Sequence, residues 1–171
     1  MFQKIRIIIY YVFYYNLPHS RYVFFFTKMR VWYLSKILKV MPYDKKSKVE
    51  NGVYISNTKG LKIGKNCRIN ENVFIQEAVI GDNVLIAPNV SILSVSHNHS
   101  DISIPIIDQG VSTPNPPIIE DGVWLARNVI IMPGIIVGTG AIVGAGAVVT
   151  KNVKSNTIVG GVPAKYIKDR S

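Results

Sequence analysis

Aliphatic residues recur at every sixth position along the C-terminal half of the chain. From Ile119 the sequence divides into "IEDGVW", "LARNVI", "IMPGII", "VGTGAI", "VGAGAV" and "VTKNVK", and the fifth position of each block is small or β-branched. This period excludes an ordinary α-helix, whose apolar stripe returns every 3.6 residues. It is typical of short strands separated by turns, in which the leading aliphatic side chain of each block points inward. We therefore expect the stacked rungs of a parallel β-helix.

An earlier part of the chain obeys the same rule. It reads "IGKNCR", "INENVF", "IQEAV", "IGDNVL" and "IAPNVS", led each time by isoleucine, and the block "IQEAV" is one residue short. In such a stack the backbone groups of each rung are paired only by the rungs above and below it. The pattern therefore predicts a scaffold and says little about chemistry.

The repeat fails between the two blocks, and we predict an inserted loop at residues 93–118. This stretch contains "SVSHNHSD", with His97 and His99 two residues apart, in a chain that has three histidines. Insertions in repeat proteins form loops on one face, and such loops are commonly functional. Three interpretations are open: a solvated loop, a metal site, or a base held beside a cleft. Two histidines are too few for a zinc site, and no third ligand follows at the usual spacing.

The first 48 residues have a different composition from the rest. They hold ten of the 20 Lys and Arg residues and one of the ten acids, whereas residues 49–171 carry a net charge of only +1. Of the 17 aromatic residues, 13 precede residue 44. A basic nucleic-acid binder would carry its charge on the folded body. We therefore predict two parts, a basic aromatic arm at 1–48 and the β-helix at 49–171, and no nucleic-acid partner.

The arm contains two apolar segments. The first uninterrupted run, residues 7–15, is about half of what a membrane-spanning helix needs. The second segment has apolar residues at helical spacing, namely Val31, Leu34, Ile37, Leu38 and Met41, with Lys and Arg between them. A helix in a membrane interface has this pattern, and so does a helical cap on the end of the β-helix. Both interpretations stay open.

The single cysteine, Cys67, excludes an intrachain disulfide and fits a reducing, cytoplasmic compartment. Because it occupies the fifth position of a rung, we expect it in the core.

Three stretches resemble the hexapeptide acyltransferases, which are left-handed parallel β-helix enzymes that transfer acetyl from acetyl-CoA. These are "IGDNVLIAPNVSILSVSH", "IIEDGVWLARNVIIMPGIIVGTGAIVGAGAVVTKNV" and "NTIVGGVPAKYIK". The resemblance covers roughly residues 53–167. Together with the aromatic arm, it is most similar to O-acetyltransferases of surface polysaccharides. It implies an all-β, left-handed parallel β-helix with an α-helical N-terminal arm and a C-terminal tail.

The resemblance also implies site residues. His97 falls at the place of the catalytic base, and Arg127 occupies a position whose main-chain N–H faces the thioester, where Ser or Gly is more usual. The other cofactor-binding positions are Ala145 and Thr150 for pantetheine, Lys151 and Lys165 for the CoA phosphates, and Trp124 as a wall of the slot. His99, Glu77 and Asn70 are expected near the acceptor, although the short rung leaves Glu77 and Asn70 without a gap-free match.

The predicted function is acetyl-CoA-dependent O-acetylation of a sugar hydroxyl in a cell-surface polysaccharide or its precursor. A free imidazole titrates near about 6.5, so it can take the hydroxyl proton at cellular pH, and the acetyl group passes directly in a ternary complex. We expect acetyl-CoA as cosubstrate, no metal, a homotrimer and a cytoplasmic location, with peripheral membrane contact through residues 1–41. The alternative is a soluble acetyltransferase of the same fold acting on an antibiotic, another xenobiotic or a small sugar. N-acetylation and larger acyl groups also stay open, whereas a γ-type carbonic anhydrase would need three zinc-binding histidines.

Overall fold

The computed structural model describes residues 2–170. Its body is a parallel β-solenoid of about six turns, which confirms the fold class predicted from the sequence. Each coil contributes one short strand to each of three faces. Face 1 contains β1 (Lys48–Val49), β4 (Arg68–Ile69), β7 (Leu85–Ile86), β10 (Trp124–Leu125), β13 (Ile142–Val143) and β15 (Thr157–Gly160). Face 2 contains β2 (Tyr54–Ile55), β5 (Phe74–Ile75), β8 (Ser91–Ile92), β11 (Ile130–Ile131) and β14 (Val148–Val149). Face 3 contains β3 (Leu61–Ile63), β6 (Ala78–Ile80), β9 (Ile118–Ile119) and β12 (Ile136–Val137).

The faces meet at three corners, and two of them position the site. The first corner joins face 1 to face 2 through the turns 50–53, 70–73, 87–90, 126–129 and 144–147. The second corner joins face 2 to face 3 through 56–60, 76–77, the long excursion 93–117, 132–135 and 150–152. The repeat therefore breaks at one corner of one coil, between β8 and β9.

The six-residue pattern follows from this geometry. The leading aliphatic residue of each rung is buried inside the prism, and so is the fifth-position residue of each six-residue rung, including Cys67. In the short rung the buried small residue is Ala78, and Val79 is exposed. Asn or Gly precedes that fifth residue at the first corner with a positive φ in every coil, for example 61° at Asn89 and 70° at Gly146. This left-handed conformation is strained for most other residues. The recurring "NV", "GV" and "GA" pairs are therefore the turns of the solenoid.

The N-terminal arm closes the open end of the first coil. It forms α1 (Phe2–Ile9), a π-helical turn (Tyr10–Tyr14) and α2 (Phe25–Lys36). The Tyr10 hydroxyl donates to Val53 O at 2.8 Å, and the Tyr11 hydroxyl both donates to Ile55 O and accepts from Ile55 N–H, at 2.8 and 3.0 Å. These backbone groups have no preceding rung to pair with, and an unpaired strand edge invites association with other chains. The tyrosines therefore serve as the missing rung.

The apolar residues of the second segment face the protein, as the cap interpretation requires. Val31 and Leu34 are fully buried, and Leu38 and Met41 are buried beyond the end of α2. Arg30, one of the cations of the second segment, is also fully buried, and its guanidinium donates to Tyr14 O and Pro18 O at 3.0 Å each. This stripe therefore packs as a cap, whereas membrane contact by the rest of the arm stays a prediction. No helix within residues 2–170 is long and apolar enough to cross a bilayer.

The C-terminal tail closes the other end. Strand β16 (Lys165–Asp169) turns back and pairs antiparallel with β15. This hairpin borders the last coil, and a cavity opens between them.

Candidate active site

The excursion leaves the second corner as a two-stranded antiparallel ribbon. At its base, Ser112 N–H donates to Ser96 O at 2.8 Å, and one residue further out His97 pairs with Val111. His97 is thus held on ordered backbone near the prism, whereas the tip of the excursion lies beyond it. The tip itself is folded around a short 3-10 helix (Ile106–Gln109).

One side chain that the sequence did not single out anchors this ribbon. The Gln76 side-chain oxygen accepts from Ser94 N–H at 2.8 Å and from Val95 N–H at 3.1 Å. Gln76 lies at the same corner one coil earlier, in the short rung "IQEAV". Because this rung is one residue short, its turn at the second corner has only two residues, Gln76 and Glu77. The short rung is the only feature of the sequence that marks Gln76.

The imidazoles of His97 and His99 are exposed. Within the described residues 2–170, neither ring makes a hydrogen bond. The neighbouring amide of Asn98 is used structurally, since it donates to Gln109 O and Val111 O at 3.1 and 3.3 Å. The ribbon is thus ordered by its own backbone and by Asn98, and both imidazoles stay available to a ligand.

Three main-chain N–H groups that the resemblance assigns to CoA are available. Along residues 2–170, the N–H groups of Arg127, Ala145 and Thr150 have no oxygen acceptor, whereas those of Ala126 and Asn128, beside Arg127, and of Gly144 and Gly146, beside Ala145, are paired. Arg127 and Ala145 occupy the same turn position in successive coils of the first corner, linked by the bond from Gly146 N–H to Arg127 O at 2.8 Å. Ala145 precedes β14 and Thr150 follows it. An extended ligand that crosses β14 could therefore accept from both.

A cavity of about 720 Å³ lies at the C-terminal end of the solenoid. Three of the predicted cofactor-binding residues line it, namely Thr150, Lys151 and Lys165, and so does Tyr166. Its floor is apolar, formed by valines and by Pro163 and Ala164. Three lysines, Lys151, Lys154 and Lys165, line the cavity together with one acid, Asp169. This surplus of cations beside an apolar cleft suits a ligand with a phosphorylated end and an apolar body.

The remaining predicted residues lie elsewhere. Trp124 is exposed on face 1, between Leu85 and Ile142 in register, and does not line the cavity. Asn70 is at the first corner, where its side chain donates to Ile86 O at 2.8 Å. Glu77 is buried at the second corner and accepts from the Asn57 side chain. The structure therefore does not bring Asn70 and Glu77 together within one chain.

The two halves of the expected site sit at different corners. His97 projects from the second corner, whereas Arg127 and Ala145 lie at the first. A two-residue strand of face 2 separates the corners in each coil, and His97 lies five residues beyond β8. A site that uses both groups therefore requires the ribbon to reach across face 2, or a second copy of the chain to supply one half.

The cysteine and the possible metal-binding side chains were the other candidates for chemistry. Burial raises the pKa of the Cys67 thiol to about 11, and its sulfur contacts Gly81 O at 3.2 Å inside the core. A thiol held neutral in this way is a poor acyl acceptor. The described residues contain no group of three His, Cys, Asp or Glu side chains that could hold a metal ion.

Comparison with known proteins gives a consistent set of relatives. The family described as "Bacterial transferase hexapeptide (six repeats)" matches residues 116–151. The galactoside O-acetyltransferase of Escherichia coli K12 is 36% identical over 125 residues, which are 71% of this chain and 60% of that protein. From the same organism, WbbJ, named as a candidate lipopolysaccharide biosynthesis O-acetyl transferase, is 39% identical over 112 residues, or 60% of this chain and 57% of WbbJ. The chain thus spans less than two thirds of both curated relatives.

A solved structure covers more of the chain. The hexapeptide-repeat containing acetyltransferase VCA0836 of Vibrio cholerae superposes with a TM-score of 0.67 at 32% identity, over 74% of this chain and 72% of that chain. The same Vibrio protein in complex with acetyl coenzyme A superposes with a TM-score of 0.77 at 24% identity, over 99% of this chain and 87% of that chain.

Proposed function

The chain belongs to the hexapeptide-repeat acetyltransferase family, and on this premise we propose that it transfers the acetyl group of acetyl-CoA to a hydroxyl of a sugar. The observation that carries the proposal is the pair of elements at the solenoid surface: an ordered ribbon presenting the unpartnered imidazole of His97, and free N–H donors at Arg127, Ala145 and Thr150. The first can move a proton. The second can hold a thioester and its pantetheine chain.

We place acetyl-CoA along the two last coils. Its phosphates would lie by Lys151 and Lys165 at the cavity, and its pantetheine would cross β14 between Thr150 and Ala145. This orientation directs the thioester toward Arg127, one coil nearer the excursion. Trp124, which is exposed on face 1, would contact CoA only if the slot included that face or a neighbouring subunit.

In the chemical step, His97 takes the proton of the acceptor hydroxyl while its oxygen attacks the thioester carbonyl carbon. The Arg127 N–H donates to the oxyanion that develops on the carbonyl oxygen. When the carbon–sulfur bond breaks, the imidazolium returns the proton to the departing sulfur. The products are the sugar ester and free CoA, and no acyl-enzyme forms. His99, Asn70 and Glu77 are proposed as acceptor contacts contributed by one or more subunits.

We propose a homotrimer in which one subunit presents the His97 ribbon to the N–H donors of the next. The separation of the two corners within one chain supports this arrangement, and closed symmetric rings are common among oligomers. The proposed acceptor is a cell-surface polysaccharide or its precursor, since WbbJ carries a lipopolysaccharide biosynthesis name. The single buried thiol is compatible with a cytoplasmic location.

Incubation of the purified protein with acetyl-CoA and glycan precursors, followed by mass spectrometry, tests the activity through the added mass of an acetyl group. His97→Ala should lower kcat by at least about a hundredfold and leave the KM for acetyl-CoA nearly unchanged. His99→Ala is the matched control, because it removes an exposed imidazole from the same ribbon, and it should affect mainly the KM for the acceptor. Equal turnover of the wild type and His97→Ala would reject the base assignment. Acetylation of small free sugars alone would favour the soluble alternative.

A further inference from the structure

The helix at residues 2–14 has two apolar faces, and only one of them contacts the protein. Its inner face, formed by Ile7, Tyr10, Tyr11 and Tyr14, packs against the core of the solenoid and α2. The opposite face is exposed. It consists of Phe2, Ile5, Ile8, Ile9, Val12 and Phe13, which we call the outer face. At 100° per residue the four of these side chains that lie in α1 cover an arc of about 120°, and the π-helical turn adds Val12 and Phe13. A contiguous apolar surface of this kind marks an interaction site.

Cations border the outer face. Lys4 and Arg6 lie on its two edges when the helix is viewed down its axis. Residues 1–48 contain a single acid, Asp44, and its carboxylate is occupied by Ser47 N–H and Lys46 N–H, both at 2.8 Å. The arm therefore has no spare acid of its own, and within residues 2–170 neither Lys4 nor Arg6 forms an ion pair.

We propose that the outer face docks into the surface of an anionic lipid bilayer. The apolar side chains would enter the boundary between headgroups and acyl chains, and Lys4 and Arg6 would lie among lipid phosphates. The helix rises roughly 20 Å over its 13 residues, too short to cross the ~30 Å hydrocarbon layer. It lies flat instead.

Charge decides between a bilayer and a second copy of this chain. Two arms that met through their outer faces would bring together segments that each carry ten Lys or Arg residues and one acid. Their mutual repulsion opposes that contact, whereas an anionic surface attracts both. Docking would also hold the solenoid beside a lipid-linked acceptor, although lipid binding itself does not depend on the proposed acetyl transfer.

The excursion provides a matched control. Its tip exposes four isoleucines, Ile102, Ile104, Ile106 and Ile107, and so is a second exposed apolar surface on the same chain. Asp101 and Asp108 lie within the same segment, and it carries no Lys or Arg. Apolar exposure alone would make both surfaces bind vesicles equally. The proposal requires binding through the arm only.

The test is co-sedimentation of the full chain with phosphatidylcholine vesicles, with and without phosphatidylglycerol, at low and high salt. The wild type should bind the anionic vesicles and release at high salt. The variant Ile5→Asp/Ile9→Asp should lose at least about tenfold in partitioning, and Ile102→Asp/Ile107→Asp should match the wild type. Both variants replace exposed side chains, so circular dichroism melting should be unchanged and mass photometry should give the wild-type mass.

Three outcomes would overturn the proposal. The first is no binding of the wild type to anionic vesicles. The second is equal binding by the wild type and Ile5→Asp/Ile9→Asp. The third is a smaller particle mass for that variant alone, which would mean that another copy of the chain covers the outer face. Acetyl transfer to a soluble acceptor, measured in parallel, should be the same for all three proteins and reports separately on the proposed function.

Discussion

The proposed oxyanion donor at Arg127 can be removed by a single substitution that leaves the turn intact. The donor is a main-chain N–H, so replacing the side chain with alanine does not delete it, whereas proline does. The solenoid already contains proline at this turn position: Pro88 lies one coil earlier, as the register of β7 with β10 shows. The residue before it, Ala87, corresponds to Ala126. Arg127→Pro should therefore fit the backbone that Pro88 adopts.

The structure sets the size of the expected effects. Because Arg127 N–H has no acceptor in residues 2–170, proline removes no internal hydrogen bond. The Arg127 carbonyl, which accepts from Gly146 N–H, is retained. The free energy of unfolding should change by no more than about 1 kcal/mol, corresponding to roughly 3 °C in Tm. Loss of one oxyanion donor should lower kcat about 100- to 1,000-fold, or about 3–4 kcal/mol.

The assay is steady-state acetyl transfer by Arg127→Pro and Arg127→Ala, with thermal unfolding of both. Arg127→Ala should retain kcat within about tenfold, because its N–H remains. Equal kcat values for the two variants, at unchanged Tm, would refute the donor assignment. A fall in Tm above about 10 °C for Arg127→Pro alone would show that Pro88 is a poor guide to the turn at Arg127.

Further predictions concern stability, the ribbon, the thiol and the cavity. Thr27→Val deletes a buried hydroxyl that accepts from Val49 N–H at 2.9 Å and donates to Val49 O at 3.0 Å, so Tm should fall by roughly 6–10 °C. Thr113→Val, at an exposed position, is the control. Equal melting of the two variants would contradict the role of Thr27 in pairing the backbone of the first strand. Gln76→Met should lower kcat at nearly constant Tm, because the N–H groups of Ser94 and Val95 lose their acceptor. An unchanged kcat would mean that the backbone bonds of the ribbon position His97 without Gln76. At pH 9 native Cys67 should alkylate at least about fiftyfold more slowly than in denaturant, because its raised pKa of about 11 leaves little thiolate. Equal rates would place it outside the core. Lys165→Ala should raise the KM for acetyl-CoA severalfold with little change in kcat, whereas Lys168→Ala, outside the cavity, should not.

The arm illustrates why sequence pattern left two interpretations open. Helical spacing identified the apolar stripe through Val31 and Leu34, but a stripe looks the same whether it faces lipid or protein. Only the packed structure showed that this stripe covers the first coil and that Arg30 is buried with it. The same structure exposed a second apolar face, on the first helix, which the sequence had treated as one unbroken hydrophobic run.

For the candidate site, too, the sequence located the residues and the structure gave their arrangement. The break in the six-residue period located the excursion, and the resemblance assigned His97, Arg127, Ala145, Thr150, Lys151 and Lys165. Distances between corners are not encoded in that spacing, so the separation of His97 from Arg127 emerged only from the coil geometry. Gln76 was missed because its role depends on two backbone groups 18 and 19 residues away.

By itself the sequence determined the solenoid, because a six-residue period of inward aliphatic residues and left-handed Asn or Gly turns is a local rule that each rung satisfies alone. The tertiary structure decided which coil ends need capping, which helix face is left uncovered, and which corner carries each functional group. Those properties depend on how successive coils stack in space, and stacking joins residues whose separation along the chain follows no local pattern.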